Sequence, residues 1–234
     1  MRLNDWFTWN GVRSTELGIH VLKQPALVRP PERATFTSVP GRSGTLTTLE
    51  GEDVYDDFIV SAECMIRETS NLPAISQYLK GDGKVTFANR QDGFYIARIV
   101  NQISFDKILR GNPHHSFIVN FRCQPFFYLS DVEDITITQS GTYVQNQGNV
   151  FSEPVVKVTL NSDAEIVMGG SYFELTGITG TVTIDTPLME TYMDYESHNQ
   201  NMRGDYPKLL AGENIISWTG GVSQIVMTPN WRML

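Results

Sequence analysis

The sequence predicts a mainly β protein of two domains, and three observations carry that expectation. Apolar residues recur at every second position in run after run, the mark of strands that bury one face. Only one segment has helical spacing. Charge is also divided unevenly. Residues 1–128 hold 14 Lys and Arg against 13 Asp and Glu, whereas residues 129–234 hold 4 against 13. A near-neutral half followed by one of −9 reads as two domains, and 234 residues suits that number. The turn-rich stretch from Ser130 to Asp134 places the boundary, so the domains are expected at 1–130 and 131–234.

In the first half the clearest alternation is Phe58, Val60, Ala62, Cys64 and Ile66, with Ser61, Glu63 and Arg67 facing the other way. His115, Phe117, Val119, Phe121 and Cys123 repeat it. Tyr95, Ala97, Ile99, Ile103 and Phe105 extend it over a longer run, which Asn101 interrupts with a bulge or a buried hydrogen bond. Asn10-Gly11 suits a tight hairpin, and Gly81-Asp82-Gly83 and Asp92-Gly93 are expected to separate later strands. The helix covers Leu72 to Leu79. Thr69, Ser70 and Asn71 offer capping side chains, Pro73 is tolerated in a first turn, Leu72, Ile75, Tyr78 and Leu79 share a face, and Gly81 suits a left-handed cap. Trp6, Phe7 and Trp9 read as core aromatics of a first strand.

The second half is expected to form short strands with Gly-rich turns, a β-sandwich pattern. The apolar pairs and triplets are Val156, Val158 and Leu160; Ile166 and Met168; Phe173 and Leu175; Val182 and Ile184; Ile215, Ile216 and Trp218; and Val222, Ile225 and Val226. Gly169-Gly170 and Gly220-Gly221 are expected as hairpin turns.

Residues 40–57 differ in character. Gly41, Gly44 and Gly51 accompany Glu50, Glu52, Asp53, Asp56 and Asp57, with Leu46 and Leu49 in weak alternation. A protruding hairpin or arm is expected there, and such loops often carry function.

Chemistry is sparse by comparison. His114 and His115 are strand neighbours and point to opposite faces, so no metal site is expected. No cofactor loop is expected either: Gly41-Arg42-Ser43-Gly44 lacks the lysine and the following helix of a phosphate loop. Asp194 and Glu196 are the pair most suited to glycoside hydrolysis, but acidic pairs in an acidic domain are ordinarily solvated. Cys64 and Cys123 read as buried thiols rather than a disulfide. The amino terminus shows no signal peptide, no apolar run suits a membrane span, and the acidic half repels nucleic acid. The expectation is a protein without catalytic residues, made in a cytoplasm. A carbohydrate-binding module remains the alternative, since aromatics on a β-sandwich can stack on sugars.

Several ordered motifs resemble one family. Phe7-Thr8-Trp9-Asn10-Gly11 followed by Leu17-Gly18-Ile19 is similar to the opening of bacteriophage distal tail proteins. Val39-Pro40-Gly41-Arg42-Ser43-Gly44 resembles their proline-glycine-arginine loop, and Phe121 to Tyr128 the last strand of their first domain. Gly148-Asn149 with Ser152-Glu153-Pro154 resembles the entry to the second domain, Ile184-Asp185 a strand within it, and Tyr206 to Leu210 with Gly212-Glu213-Asn214 a motif near its end.

The resemblance implies an N-terminal β-sandwich with one short helix and a C-terminal galectin-like β-sandwich. It implies a structural subunit of a siphophage-type tail, forming a hexameric ring that links the tail tube to the tail tip and serves as a hub for adsorption proteins. Its partners would be further copies of itself, the tail tube protein and tail-tip or receptor-binding proteins, with DNA passing through the ring without specific binding. Its place would be the virion tail tip, after assembly in the host cytoplasm. The arm, with Pro40, Gly41, Arg42, Gly44, Leu46 and Leu49, is similar in position to the element that clasps the adjacent subunit.

Overall fold

The computed structural model of the chain describes residues 4–51, 53–67, 71–107 and 114–234. The chain divides into two compact units, Met1–Phe127 with Leu234 and Tyr128–Met233. Both are built from antiparallel strands.

The first unit contains β1 (Phe7–Trp9), β2 (Val12–Arg13), β3 (His20–Lys23), β4 (Ala34–Ser38), β5 (Thr45–Leu49), β6 (Phe58–Ile66), β7 (Asp82–Phe87), β8 (Arg90–Ile99), β9 (Asp106–Lys107) and most of β10 (His115–Leu129). Its main sheet runs β2-β1-β7-β8-β10-β6-β3, with β9 also on β10. The strongest alternation sets the central pair: β6 and β10 lie in a register that faces Phe121 with Val60, Val119 with Ala62 and Phe117 with Cys64. All six of these side chains are buried. Around Phe121 the rings of Phe7, Trp9 and Phe87 pack at centroid distances of 5.3, 5.5 and 5.6 Å, the tilted and edge-on geometries that aromatic quadrupoles favour. Trp6, Phe7 and Trp9 are therefore core, as their place on a first strand suggests.

Asn10 and Gly11 take φ of 52° and 82° and join β1 to β2 with Trp9 opposite Val12, the two positive dihedrals of a type I′ hairpin. The helix α1 (Leu72–Tyr78) carries Pro73 in its first turn and buries Ile75; Leu79, just beyond it, is buried as well. Asn71 makes no side-chain capping bond, and Thr69 and Ser70 lie outside the described residues.

One expectation about a turn fails here for an identifiable reason. The β7–β8 connection is Ala88-Asn89, because Phe87 faces Arg90. Asp92-Gly93 lies inside β8 at a register irregularity, where the Thr86 hydroxyl donates to the Gly93 carbonyl at 2.8 Å. A bulge uses the same permissive residues as a turn. The run from Tyr95 to Phe105 is likewise not one strand, since β8 stops at Ile99. Beyond it the Asn101 side chain continues the ladder, donating to the Ile118 carbonyl at 2.7 Å and accepting from the Asn120 N–H at 2.8 Å.

Cys64 and Cys123 are free and buried. They stand opposite Phe117 and Phe58 respectively, not opposite each other. Burial, with smaller contributions from Glu63 and Asp57, pushes each thiol up to about 12 from an ordinary 9.0. Neither should react with an alkylating reagent at pH 8 until the protein is denatured. The unfolded chain loses these protons first, so between pH 9 and pH 12 it binds fewer protons than the native state. Native stability is then expected to fall as pH rises through that window, at up to about 1.4 kcal/mol per pH unit for each thiol. Urea titrations at pH 8, 9.5 and 11 would measure it.

The second unit contains β11 (Ile135–Ile137), β12 (Thr142–Gln145), β13 (Val155–Met168), β14 (Ser171–Leu175), β15 (Gly180–Asp185), β16 (Glu190–Met193), β17 (Glu196–Ser197), β18 (Met202–Gly204), β19 (Glu213–Thr228) and β20 (Arg232–Met233). The strands are not all short. β13 and β19 pair along most of their lengths, with register breaks between Thr159 and Ala164. On one side of the breaks β13 also pairs with β15, and on the other with β14. One sheet thus curls over on itself, and both halves contribute to a single core holding Val156, Val158, Ile166, Phe173, Ile184, Ile216 and Ile225. This is a β-sandwich made by strands that cross from one layer to the other.

Gly220 and Gly221 sit at that crossing inside β19 and do not form a hairpin. A Cβ on Gly220 would overlap the Asp163 carbonyl, and one on Gly221 the Ser162 backbone. Backbone contact, not a turn, is what demands glycine there. Gly169-Gly170 does form the hairpin expected, between Met168 and Ser171.

Candidate functional site

Strands β4 and β5 pair only with each other, as a separate two-stranded sheet. Their register sets Ala34 against Leu49, Phe36 against Thr47 and Thr37 against Leu46. Every residue from Thr35 to Glu50 is exposed. Alternation puts Ala34, Phe36 and Leu49 on one face, with Leu46 on the other among threonines. Phe36 is 67% exposed, Leu49 55% and Leu46 46%. A lone two-stranded hairpin is marginal in water, and this one leaves both its faces and its outer edges open.

Its tip follows from turn chemistry. The Arg42 N–H donates to the Val39 carbonyl at 3.1 Å, and Gly41 takes φ of 80°. Proline second and a positive-φ glycine third define a type II turn. Gly44 then re-enters β5, also with φ of 80°. Arg42 makes no ion pair among the described residues.

The root is fastened differently. The Arg33 N–H donates to the Val54 carbonyl, the Glu50 N–H to the Arg33 carbonyl and the Asp56 N–H to the Pro31 carbonyl. The Arg33 side chain donates to Asp56 at 2.7 Å, and that hydrogen bond, then the carboxylate's charge, raises the Arg33 pKa above its ordinary value. Asp57 pairs with Arg122 at 2.9 Å. The acidic residues after the hairpin therefore serve its attachment; Glu52 lies outside the described residues.

Pro40, Gly41, Arg42 and Gly44 thus form the tip, and Leu46 and Leu49 lie on opposite faces of the second strand. Sequence reading missed the first strand, Ala34–Ser38, because an element exposed on both faces has no apolar alternation. The threonines that flank Phe36 and Leu46 were the available signal, since β-branched residues favour strands.

The other candidates are dispersed. Asp194 is the first residue of a two-residue turn, with φ of 49°, and Glu196 begins β17 opposite Met193; both are exposed. Among the described residues no three His, Cys, Asp or Glu side chains are grouped to hold a metal, and no helix is long and apolar enough to cross a membrane.

The motifs of the second half act as staples. Buried Asn146 donates to the carbonyls of Val150, Leu209 and Leu210 at 3.0–3.2 Å and accepts from the Gly148 N–H at 2.8 Å. Asn214 accepts from the Leu210 N–H and donates to the Leu210 and Gly212 carbonyls. Leu209 and Ser152 exchange backbone bonds. The Arg232 guanidinium reaches the Phe151 carbonyl at 2.6 Å and Glu153 at 3.1 Å.

No protein-family model and no curated protein matches the chain. A solved structure does: the crystal structure of SPP1 Dit (gp 19.1), described as a paradigm of the hub adsorption apparatus in phages that infect Gram-positive bacteria. The match covers 98% of this chain and 99% of that one, with a TM-score of 0.76 and 14% identity. The two proteins share one fold. At that identity the likeness is one of architecture, and it extends over both units.

Proposed function

We propose that this chain is a structural hub subunit of a phage tail. The likeness over the whole length of both chains to the SPP1 Dit fold carries the reading, and the uncovered hairpin supports it. In this reading the first unit, residues 1–130, builds a ring of six copies that prolongs the channel of the tail tube, and DNA traverses it without specific contacts. The second unit, residues 131–234, is a galectin-like sandwich that holds tail-tip or receptor-binding proteins at the distal end of the virion. Its charge of −9 favours partners with basic docking faces. The work is assembly, with no bond made or broken. A closed ring needs heterologous contacts, one surface patch on each copy meeting a different patch on the next. The hairpin arm supplies one such patch.

Negative-stain electron microscopy of the purified protein is the test. Six-fold annuli with an open centre are expected. Monomers at all concentrations would remove the ring.

A further inference from the structure

Resting on the ring reading, we infer that the tip of the hairpin arm docks into a groove on the outer face of the main sheet of the next copy, with Arg42 meeting Glu63. The groove has a volume of about 480 Å³ and runs beside β3, β6 and β10, with Leu22, Glu63, Asn101, Ile118 and Asn120 among its lining residues. Three features mark it as incomplete in a single copy.

First, its lining includes apolar side chains turned to solvent: Leu22 is 40% exposed and Ile118 50%. These lie together, because Glu63 faces Ile118 on one side and Lys23 on the other. Second, Glu63 is the one charged side chain among the groove residues described, and it is exposed. It forms no ion pair within 4 Å among the described residues, not even with Lys23 opposite. Third, the Asn120 Oδ1 is buried without a hydrogen-bond donor, a costly state.

The arm tip carries the complement. Val39 is 38% exposed and Leu46 46%, and Arg42 follows within the same turn. An apolar pair beside a free guanidinium matches an apolar pair beside a free carboxylate, and the threonines of β5 bring hydroxyl donors within the same few residues. Tip and groove are different patches of one chain, so the contact is head-to-tail and can close a ring. Docking would also desolvate the Arg42–Glu63 pair, so reversing either charge costs more than it would at a surface salt bridge.

A charge exchange tests this. The mass of the unmodified chain, Arg42→Glu, Glu63→Arg and the double exchange would be followed by light scattering over a range of concentrations. Each single variant should raise the concentration for half-assembly at least about tenfold, a 1.4 kcal/mol effect, and the double exchange should restore it to within about threefold. Both residues are exposed, so thermal melts of the monomers should coincide. Rings formed by Glu63→Arg as readily as by the unmodified chain, or no recovery in the double variant, would overturn this docking and leave the hub reading standing. An unmodified chain that stays monomeric at every concentration would overturn the ring and this docking together.

Discussion

Replacing residues 35–48 with an Asn-Gly link is expected, on the proposed ring reading, to leave a folded monomer in place of an annulus. Ala34 and Leu49 face each other directly, so a two-residue turn can join them. The root bonds of Arg33 to Val54 and Asp56 lie outside the excision, as do the buried residues of the first unit. What is lost is Phe36, Val39 and Leu46, whose burial in an interface is worth about 3–5 kcal/mol together, given partial exposure in the free chain. Repeated at each contact of a closed ring, that loss is enough to abolish assembly at micromolar concentration. The mass from light scattering and the absence of annuli in micrographs would check it. Rings of unchanged symmetry after the replacement would sink the arm's role.

Phe121→Ala is expected to destabilise the first unit by about 3–5 kcal/mol, the usual cost of removing a buried phenylalanine. Phe121 is fully buried and touches the rings of Phe7, Trp9 and Phe87, which come from two other strands. Those rings cannot all close on one void, so the upper part of that range applies. A fall in melting temperature on the order of 10–20 °C follows for a unit of this size. Phe36→Ala removes the same side chain from an exposed position and should shift the monomer's melting temperature by no more than a degree or two. Equal shifts for the two variants would contradict the division between core and arm.

The contrast between those two phenylalanines also explains what could be read in advance. Phe121 sits in a run where Phe117, Val119 and Cys123 keep the period of two, and all are buried. Phe36 sits between threonines with no buried neighbour in its strand. Periodicity reports burial within one chain, and a hairpin exposed on both faces leaves no period behind. The arm was legible only as a glycine-bearing, acidic stretch, and half of its hairpin was not legible at all.

Glycines divided in the same way. Asn10-Gly11 and Gly169-Gly170 behave as local chemistry dictates, because the adjoining strands are consecutive. Asp92-Gly93 and Gly220-Gly221 have the same composition and do a different job, one forming a bulge and the other admitting a distant backbone. The carboxylates after the arm behave likewise: Asp56 and Asp57 read only as part of an acidic stretch, and each, still partly exposed, is paired to an arginine distant in sequence, Arg33 and Arg122.

By itself the sequence determined the β class, the faces of β6 and β10, the helical face of α1 and the tight hairpin at Asn10-Gly11, since alternation, helical spacing and φ preference act within a few neighbouring residues. Only the tertiary structure decided that β13 and β19 fold one sheet into two layers, that Asn101 replaces a strand, and that Glu63, Leu22 and Ile118 meet at one groove. Those outcomes depend on backbone and side-chain contacts between residues tens of positions apart, and no local preference encodes which distant segment will arrive.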